Sequence, residues 1–334
     1  MVDWVIRYDM RAPSWGTPVS DLYGAALEQC AWADRLGAQQ VILSEHHGCD
    51  DGYLPSPLVL AAAIAARTAR IRIRISAVVI TLRDPVQAAE DVIVVDHVSR
   101  GRIDVICVAG YVPSEFAMFG VPFDGRWRVY EEKVGVFATA LTGEPFEHRG
   151  TTVRVTPAPV QRPRPPVLLG GAVPSAPLRA ARLADGYMPP IPDPALYEAY
   201  LAERARLGKP PGELVKPSGP LFVHIADDPD RAWAAIAPHA LHEANEYAKW
   251  AALVPGSNPW VPMDDPDLLR TQGLYAVVTP DECLVLAASL EEGSKLILHP
   301  LMGGLSPELA WESLELFEAK VLPRLATATA TGGH

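Results

Sequence analysis

The densest run of ionisable side chains in this 334-residue chain is Glu45-His46-His47-Gly48-Cys49-Asp50-Asp51. Imidazole exchanges protons near neutral pH, so a histidine here could act as general acid or base or hydrogen-bond a charged intermediate. His, Cys and Asp also ligate metals, which gives a second reading, a divalent ion among His46, His47 and Asp50; no HxH after the first strand and no HExxH on a helix accompanies it. A solvated loop is the third reading. Further along, Ala109-Gly110-Tyr111 and Gly170-Gly171-Ala172, with Ser175 just behind, place glycines where a backbone could approach a ligand. Free N–H groups at the helix start beyond them would attract phosphate. Left-handed turns also call for glycine, and neither run has Walker or GxGxxG spacing. His224 and His299 close apolar runs and read as hydrogen-bonded structural histidines. His239, His242, Glu243 and Glu246 share helical spacing, which reads as a solvated or interface face.

Such residues need elements to aim them. Short β-branched runs alternate with longer segments of helical spacing, the pattern of parallel strands joined by helical crossovers. Strands are expected at residues 4–8, 40–43, 71–80, 103–108, 167–169, 186–188, 221–225 and 295–299. Helices are expected at 19–37, 57–68, 84–98, 126–141, 175–184, 194–207, 229–253 and 307–321. Eight such units predict a (β/α)8 TIM barrel with insertions after strands four and seven. The first insertion covers 142–164 with a hairpin at 146–155; the second is a mobile, proline-rich excursion over 255–273. One domain over 1–325 and a flexible tail over 326–334 complete the expectation. In a barrel of this kind the active site lies at the C-terminal ends of the strands, where the runs above fall.

Composition narrows the function classes. With 49% hydrophobic residues the chain has material for a large core. A net charge of −11 argues against nucleic acid or an anionic membrane as the main partner, though a local phosphate site stays open. Cys30, Cys49, Cys107 and Cys283 form no CxxC pair, as in a reducing cytoplasm. The start Met1-Val2-Asp3-Trp4 lacks a signal-peptide layout, and no apolar run reaches membrane-spanning length. A soluble, cytoplasmic protein is expected.

In order and spacing, several segments resemble the luciferase-like flavin monooxygenase family. They are Ser44-Glu45-His46-His47, Asp84-Pro85-Val86-Gln87-Ala88-Ala89-Glu90-Asp91, Asp96-His97-Val98-Ser99-Arg100-Gly101-Arg102 and Glu115-Phe116-Ala117-Met118-Phe119-Gly120-Val121-Pro122. Pro163 to Gly171 and Ala184-Asp185-Gly186-Tyr187 extend the resemblance over nearly the whole chain. It implies a barrel with reduced flavin at its mouth and His46 as the residue that stabilises or protonates a flavin–oxygen intermediate; Glu45, beside it in the chain, is expected to orient it. It also implies a cis non-prolyl peptide late in strand three, here Ala77-Val78, and a flavin phosphate received by Gly170, Gly171, Ala172 and Ser175. One departure stands out: Ala109 occupies a place where users of flavin mononucleotide (FMN) often carry Arg. Ala109-Gly110-Tyr111 is more similar to deazaflavin (coenzyme F420) users, whereas Glu45-His46-His47 is more similar to the flavin monooxygenases.

The leading expectation is therefore a two-component monooxygenase that takes reduced FMN from a separate flavin reductase and acts on a small organic substrate with O2. Tyr111 and the 255–273 excursion would help enclose its site, and by resemblance it would be a homodimer. The rivals are a deazaflavin-dependent hydride-transfer oxidoreductase, a metal-dependent barrel hydrolase and a flavin-binding protein without turnover.

Overall fold

The computed structural model describes residues 3–217, 219–254, 258, 260–291 and 293–328. The chain opens with β1 (Asp3–Tyr8), α1 (Val19–Leu36), β2 (Gln40–Leu43), α2 (Pro57–Arg67), β3 (Arg72–Val79), α3 (Pro85–Ser99) and β4 (Ile103–Val108). Next come α4 (Pro113–Met118), α5 (Arg126–Ala140), β5 (Phe146–His148), β6 (Thr151–Val153), β7 (Val167–Gly170), α6 (Ser175–Leu183), β8 (Gly186–Met188), α7 (Pro194–Arg206) and β9 (Glu213–Leu214). It closes with β10 (Phe222–Ile225), α8 (Pro229–Leu253), α9 (Pro266–Thr271), β11 (Tyr275–Val278), α10 (Pro280–Ser289), β12 (Lys295–Leu298), α11 (Pro307–Leu316) and α12 (Leu322–Ala328).

These elements fall into two compact units. The first comprises residues 1–42, 49–53 and 218–334; the second comprises 43–48 and 54–217. In the second unit the strand order is β3-β4-β7-β8-β9. Every one of these pairings is parallel, with Val79 opposite Val108, Cys107 opposite Leu169 and Gly170 opposite Met188. Parallel strands covered on both faces favour near-continuous apolar runs. Accordingly Ile73, Ile75, Val105, Ile106, Cys107, Val167 and Leu168 are fully buried.

Two charged residues of the Asp96–Arg102 run hold this unit together. Arg102 donates to the carbonyls of Ala65, Thr68, Ile71 and Ser99, so one guanidinium satisfies backbone acceptors around the end of α2. Asp96 is fully buried and accepts from the Val160 and Gln161 N–H groups at 2.6 and 3.0 Å. That pins the inserted segment to α3. The hairpin within it is shorter than the sequence suggests, with β5 and β6 antiparallel and ending at Val153.

In the first unit the order is β11-β10-β12-β1-β2. β1 pairs with β12, and β10 with both β11 and β12, all parallel. Here the structure corrects the sequence reading. β11 and α10 lie between 274 and 290, where no element was expected, and β9 was likewise unforeseen. Four residues between Gly273 and a proline carry too little periodicity to identify a strand; the ladder from β10 makes one. The expected excursion is tied down over much of its length. Asn245 exchanges two hydrogen bonds with the Met263 backbone, Trp233 Nε1 donates to Asp267 at 2.6 Å, and α9 lies within it; 255–257 and 259 fall outside the described residues. At the C-terminus α12 continues to Ala328, into the stretch expected as tail, and 329–334 are not among the described residues. No helix among the described residues is long and apolar enough to cross a membrane.

Candidate active site

Chain leaving β2 carries Glu45, His46 and His47 into the second unit, all less than 10% exposed: 4%, 8% and 9%. Buried charge must be paired to persist, and here two carboxylates do the pairing. Glu115, in the first turn of α4, accepts from His46 Nδ1 at 2.7 Å and from the His47 N–H at 3.0 Å. Glu45, expected to orient His46, meets His47 Nε2 at 2.7 Å, Arg83 Nη2 at 2.8 Å and the Val79 N–H at 3.3 Å. The carboxylate on His46 Nδ1 is thus Glu115, which the sequence reading did not place at the site. The usable signal was an acid two residues into a proline-started helix. Because Nδ1–H donates to a carboxylate, the neutral imidazole carries its lone pair on Nε2. Tyr111 stands edge-on to the His46 ring at 5.6 Å, and Phe119 edge-on to His47 at 4.8 Å.

The other sequence candidates lie on neighbouring strand ends of the same unit. Val78 is buried at the end of β3, and Val79 there contacts Glu45. The cis peptide is Ser76-Ala77, one residue before the expected Ala77-Val78. The β3–β4 register shifts between Ser76 and Val78, so Ala77 is the residue left out of the ladder. Ala109 is buried, and its carbonyl accepts from Thr81 Oγ1 at 2.7 Å. Gly110 has φ 76°, and a Cβ on it would sit 2.7 Å from Val79 Cγ1 and 3.1 Å from the Phe116 ring. Only glycine fits there. Gly170 lies against Val108, and the Gly171 carbonyl accepts from Tyr187 Oη at 2.7 Å. Ala172 and Ser175 are exposed at the start of α6. Behind them Arg179 reaches Glu131 at 2.8 Å and Ser175 Oγ at 3.5 Å. Arg126 lies over Phe123 and beside Trp127, its Nε buried without a hydrogen-bond partner. Burial lowers the Arg126 pKa, and Asp124 offsets this only in part. Cys107 is no nucleophile, since burial raises its thiol far above the usual range.

In the first unit residues of α8 enter a second polar cluster, where a solvated or interface face was expected; Glu243, being buried, is not solvated. Glu243 is buried and accepts from Tyr275 Oη at 2.5 Å; His242 meets Asp51 at 2.9 Å, and His239 meets the Gly303 carbonyl at 2.8 Å. Glu246, by contrast, pairs with Lys249 at the surface. Arg11 is fully buried, pairs with Asp51, and has its guanidinium 4.6, 5.0 and 5.2 Å from the rings of Tyr53, Tyr247 and Trp250. Burial raises the Asp51 carboxyl, but hydrogen bonds with His242 and the Arg11 charge outweigh it, so the net shift is downward. His224 is pushed down to about 4 by burial alone. Among the described residues, His46, His47 and Asp50 do not form a converging ligand set; the one group that does is Asp9, Glu243 and His299.

Comparison with known proteins follows the same lines. A model of the luciferase-like monooxygenase family matches residues 8–292. The 4-hydroxyprotoasukamycin monooxygenase of Streptomyces nodosus subsp. asukaensis is 28% identical over 89% of this chain and 85% of its own. Two uncharacterised proteins of Sinorhizobium fredii are 30% and 28% identical over 45% and 47% of this chain. The match spans about half of their length, 46% of each. Among solved structures, the monooxygenase RslO1 of Streptomyces bottropensis superposes with a TM-score of 0.75 at 23% identity, covering 97% of this chain and 99% of that one. The FMN complex of the oxygenating constituent of 3,6-diketocamphane monooxygenase from Pseudomonas putida gives 0.69 at 18%, covering 97% and 99%. An F420-dependent secondary alcohol dehydrogenase gives 0.63 at 15%, covering 92% and 98%. At these identities the structural likeness shows the fold alone, that of luciferase-like TIM-barrel proteins.

Proposed function

Since this chain belongs to the luciferase-like monooxygenase family, we propose that it is a two-component monooxygenase: it takes reduced FMN from a separate reductase and acts on a small organic substrate with O2. Residues 1–325 work as one domain, in the cytoplasm and as a homodimer. The observation that carries the reading is the buried Glu115–His46 pair, 2.7 Å apart at the end of a parallel strand. A neutral imidazole whose Nδ1 proton is held by a carboxylate has its Nε2 set to take a proton, and the carboxylate stabilises the imidazolium that results.

Residues of the second unit fit a flavin. The exposed start of α6, with Gly171, Ala172 and Ser175, supplies backbone donors of the kind that receive a phosphate. Arg179, which also pairs with Glu131, and Arg126, whose Nε has no hydrogen-bond partner, add cationic donors. Ala77, Val78, Ala109, Gly110 and Tyr111 would flank the ring. When bound, reduced flavin supplies the electron pair that activates O2. The chain's own part is to orient substrate, keep water away with Tyr111 and Phe119, and hold a proton on His46.

Ala109 favours a second reading, a deazaflavin-dependent hydride-transfer enzyme, and the likeness to an F420-dependent dehydrogenase supports it. Losing a charge-assisted phosphate contact at that position weakens FMN binding by about 1.5–3 kcal/mol. Weak binding suits a flavin that diffuses in from another protein. Anaerobic titration with reduced FMN and with reduced deazaflavin separates the two. Micromolar affinity for FMN is expected; micromolar affinity for the deazaflavin alone removes the monooxygenase reading.

A further inference from the structure

We propose that Asp9, Glu243 and His299 form a binding site for a divalent transition-metal ion in the first unit, independent of any flavin. Asp9 follows β1, His299 follows β12 and Glu243 faces them from α8; their exposures are 0%, 1% and 3% respectively. One ligand atom from each lies within 4.8 Å of the other two. Ligands at about 2.1 Å from one tetrahedral ion stand about 3.4 Å apart, so the most separated of the three must draw in by roughly an ångström or more as the ion binds.

A second observation points to a ligand. Both ring nitrogens of His299 are buried without a hydrogen-bond partner, although Nε2 lies 3.6 Å from Asp9 Oδ1 and Nδ1 lies 3.9 Å from Glu243 Oε1. A buried imidazole left unsatisfied is costly; an ion would take one ring nitrogen, leaving the other to donate to the carboxylate it faces. Its carboxylate neighbours each keep one oxygen in the same condition, Asp9 Oδ2 and Glu243 Oε1. Their other oxygens are already engaged, Asp9 Oδ1 by the Arg11 N–H at 3.2 Å and Glu243 Oε2 by Tyr275 Oη at 2.5 Å. Carboxylates held by one oxygen and open at the other are how metal sites fix their ligands.

Charge supports a cation. Asp9, Asp51 and Glu243 set three carboxylates against the guanidiniums of Arg7 and Arg11; Arg11 pairs with Asp51 through Nη1, while its Nε and Nη2 have no hydrogen-bond partner. Its Nε stands 3.8 Å from Asp9 Oδ2, too far for a hydrogen bond. Two oxygens and one imidazole nitrogen suit zinc or manganese, and three protein ligands leave a coordination position for water or a substrate oxygen.

The test is expression of the full chain in cobalt-supplemented medium, so that metal enters during folding, followed by metal analysis and visible and electron paramagnetic resonance spectra. One cobalt per chain is expected, with oxygen ligation and a single imidazole nitrogen. His299→Gln and Asp9→Asn should both remove it, while the surface variant His97→Ala keeps it. Only trace metal in the wild-type protein, from cobalt- and zinc-supplemented cultures alike, overturns the proposal. Full metal content in folded His299→Gln overturns it equally. Should the variants fail to fold, the wild-type spectrum decides: absence of nitrogen coupling sinks the site.

Discussion

Glu115→Gln separates a carboxylate that positions His46 from one that merely packs beside it. The substitution keeps the shape and leaves one carbonyl oxygen to accept from His46 Nδ1, now 2.7 Å from a full carboxylate. It removes the negative charge that steadies an imidazolium. A hydrogen bond to a charged group contributes about 1.5–3 kcal/mol, so the rate at which bound reduced FMN is reoxidised by O2 should fall roughly 10- to 150-fold. Stopped-flow recovery of oxidised-flavin absorbance measures this without knowledge of the organic substrate. Because Glu115 acts through His46, Glu115→Gln added to His46→Ala should slow the reaction no further than His46→Ala alone. Multiplicative effects of the two substitutions, or a single-variant rate within twofold of wild type, would refute the positioning role.

Gly110→Ala should cost about 2–4 kcal/mol, combining the left-handed backbone penalty with the overlap onto Val79 and Phe116. Urea unfolding that moves by less than about 1 kcal/mol would contradict the packing described for that strand end. Stability should also fall with acid because of His224. Its unfolded imidazole takes a proton below about 6.5, whereas in the fold it does so only near 4, so between those values the unfolded chain binds more protons. From pH 7.5 to 5 this single group costs about 2 kcal/mol. Comparing urea midpoints of wild type and His224→Asn across that range checks it, and an unchanged slope in the variant removes His224 as the cause.

Much of the scaffold is readable in the chain because strand and crossover periodicities are local. The run at 167–170 is apolar without interruption, and that at 103–108 is broken only by Asp104, a buried carboxylate paired with Arg74, because both faces of a parallel sheet are covered. The Asp96–Arg102 run, noticed only as part of a resemblance, is explained once Arg102 is seen capping the end of α2 and Asp96 holding Val160 and Gln161. β11 is not legible in the chain because its four residues show no period of their own, and only pairing with β10 makes them a strand.

Local order in the chain was enough to single out Glu45-His46-His47 as the chemically dense run and to set glycines at neighbouring strand ends. It could not assign the partners. Adjacency in sequence favoured Glu45 as the companion of His46, yet Glu45 turns to His47, Arg83 and the end of β3, and the imidazole is held by Glu115, 69 residues away. In the same way Asp9, Glu243 and His299 come from three distant segments. Periodicity encodes which way a residue faces within its own element. Which charges meet is fixed only when the elements pack, because a buried charge must find its counterpart wherever the fold delivers one.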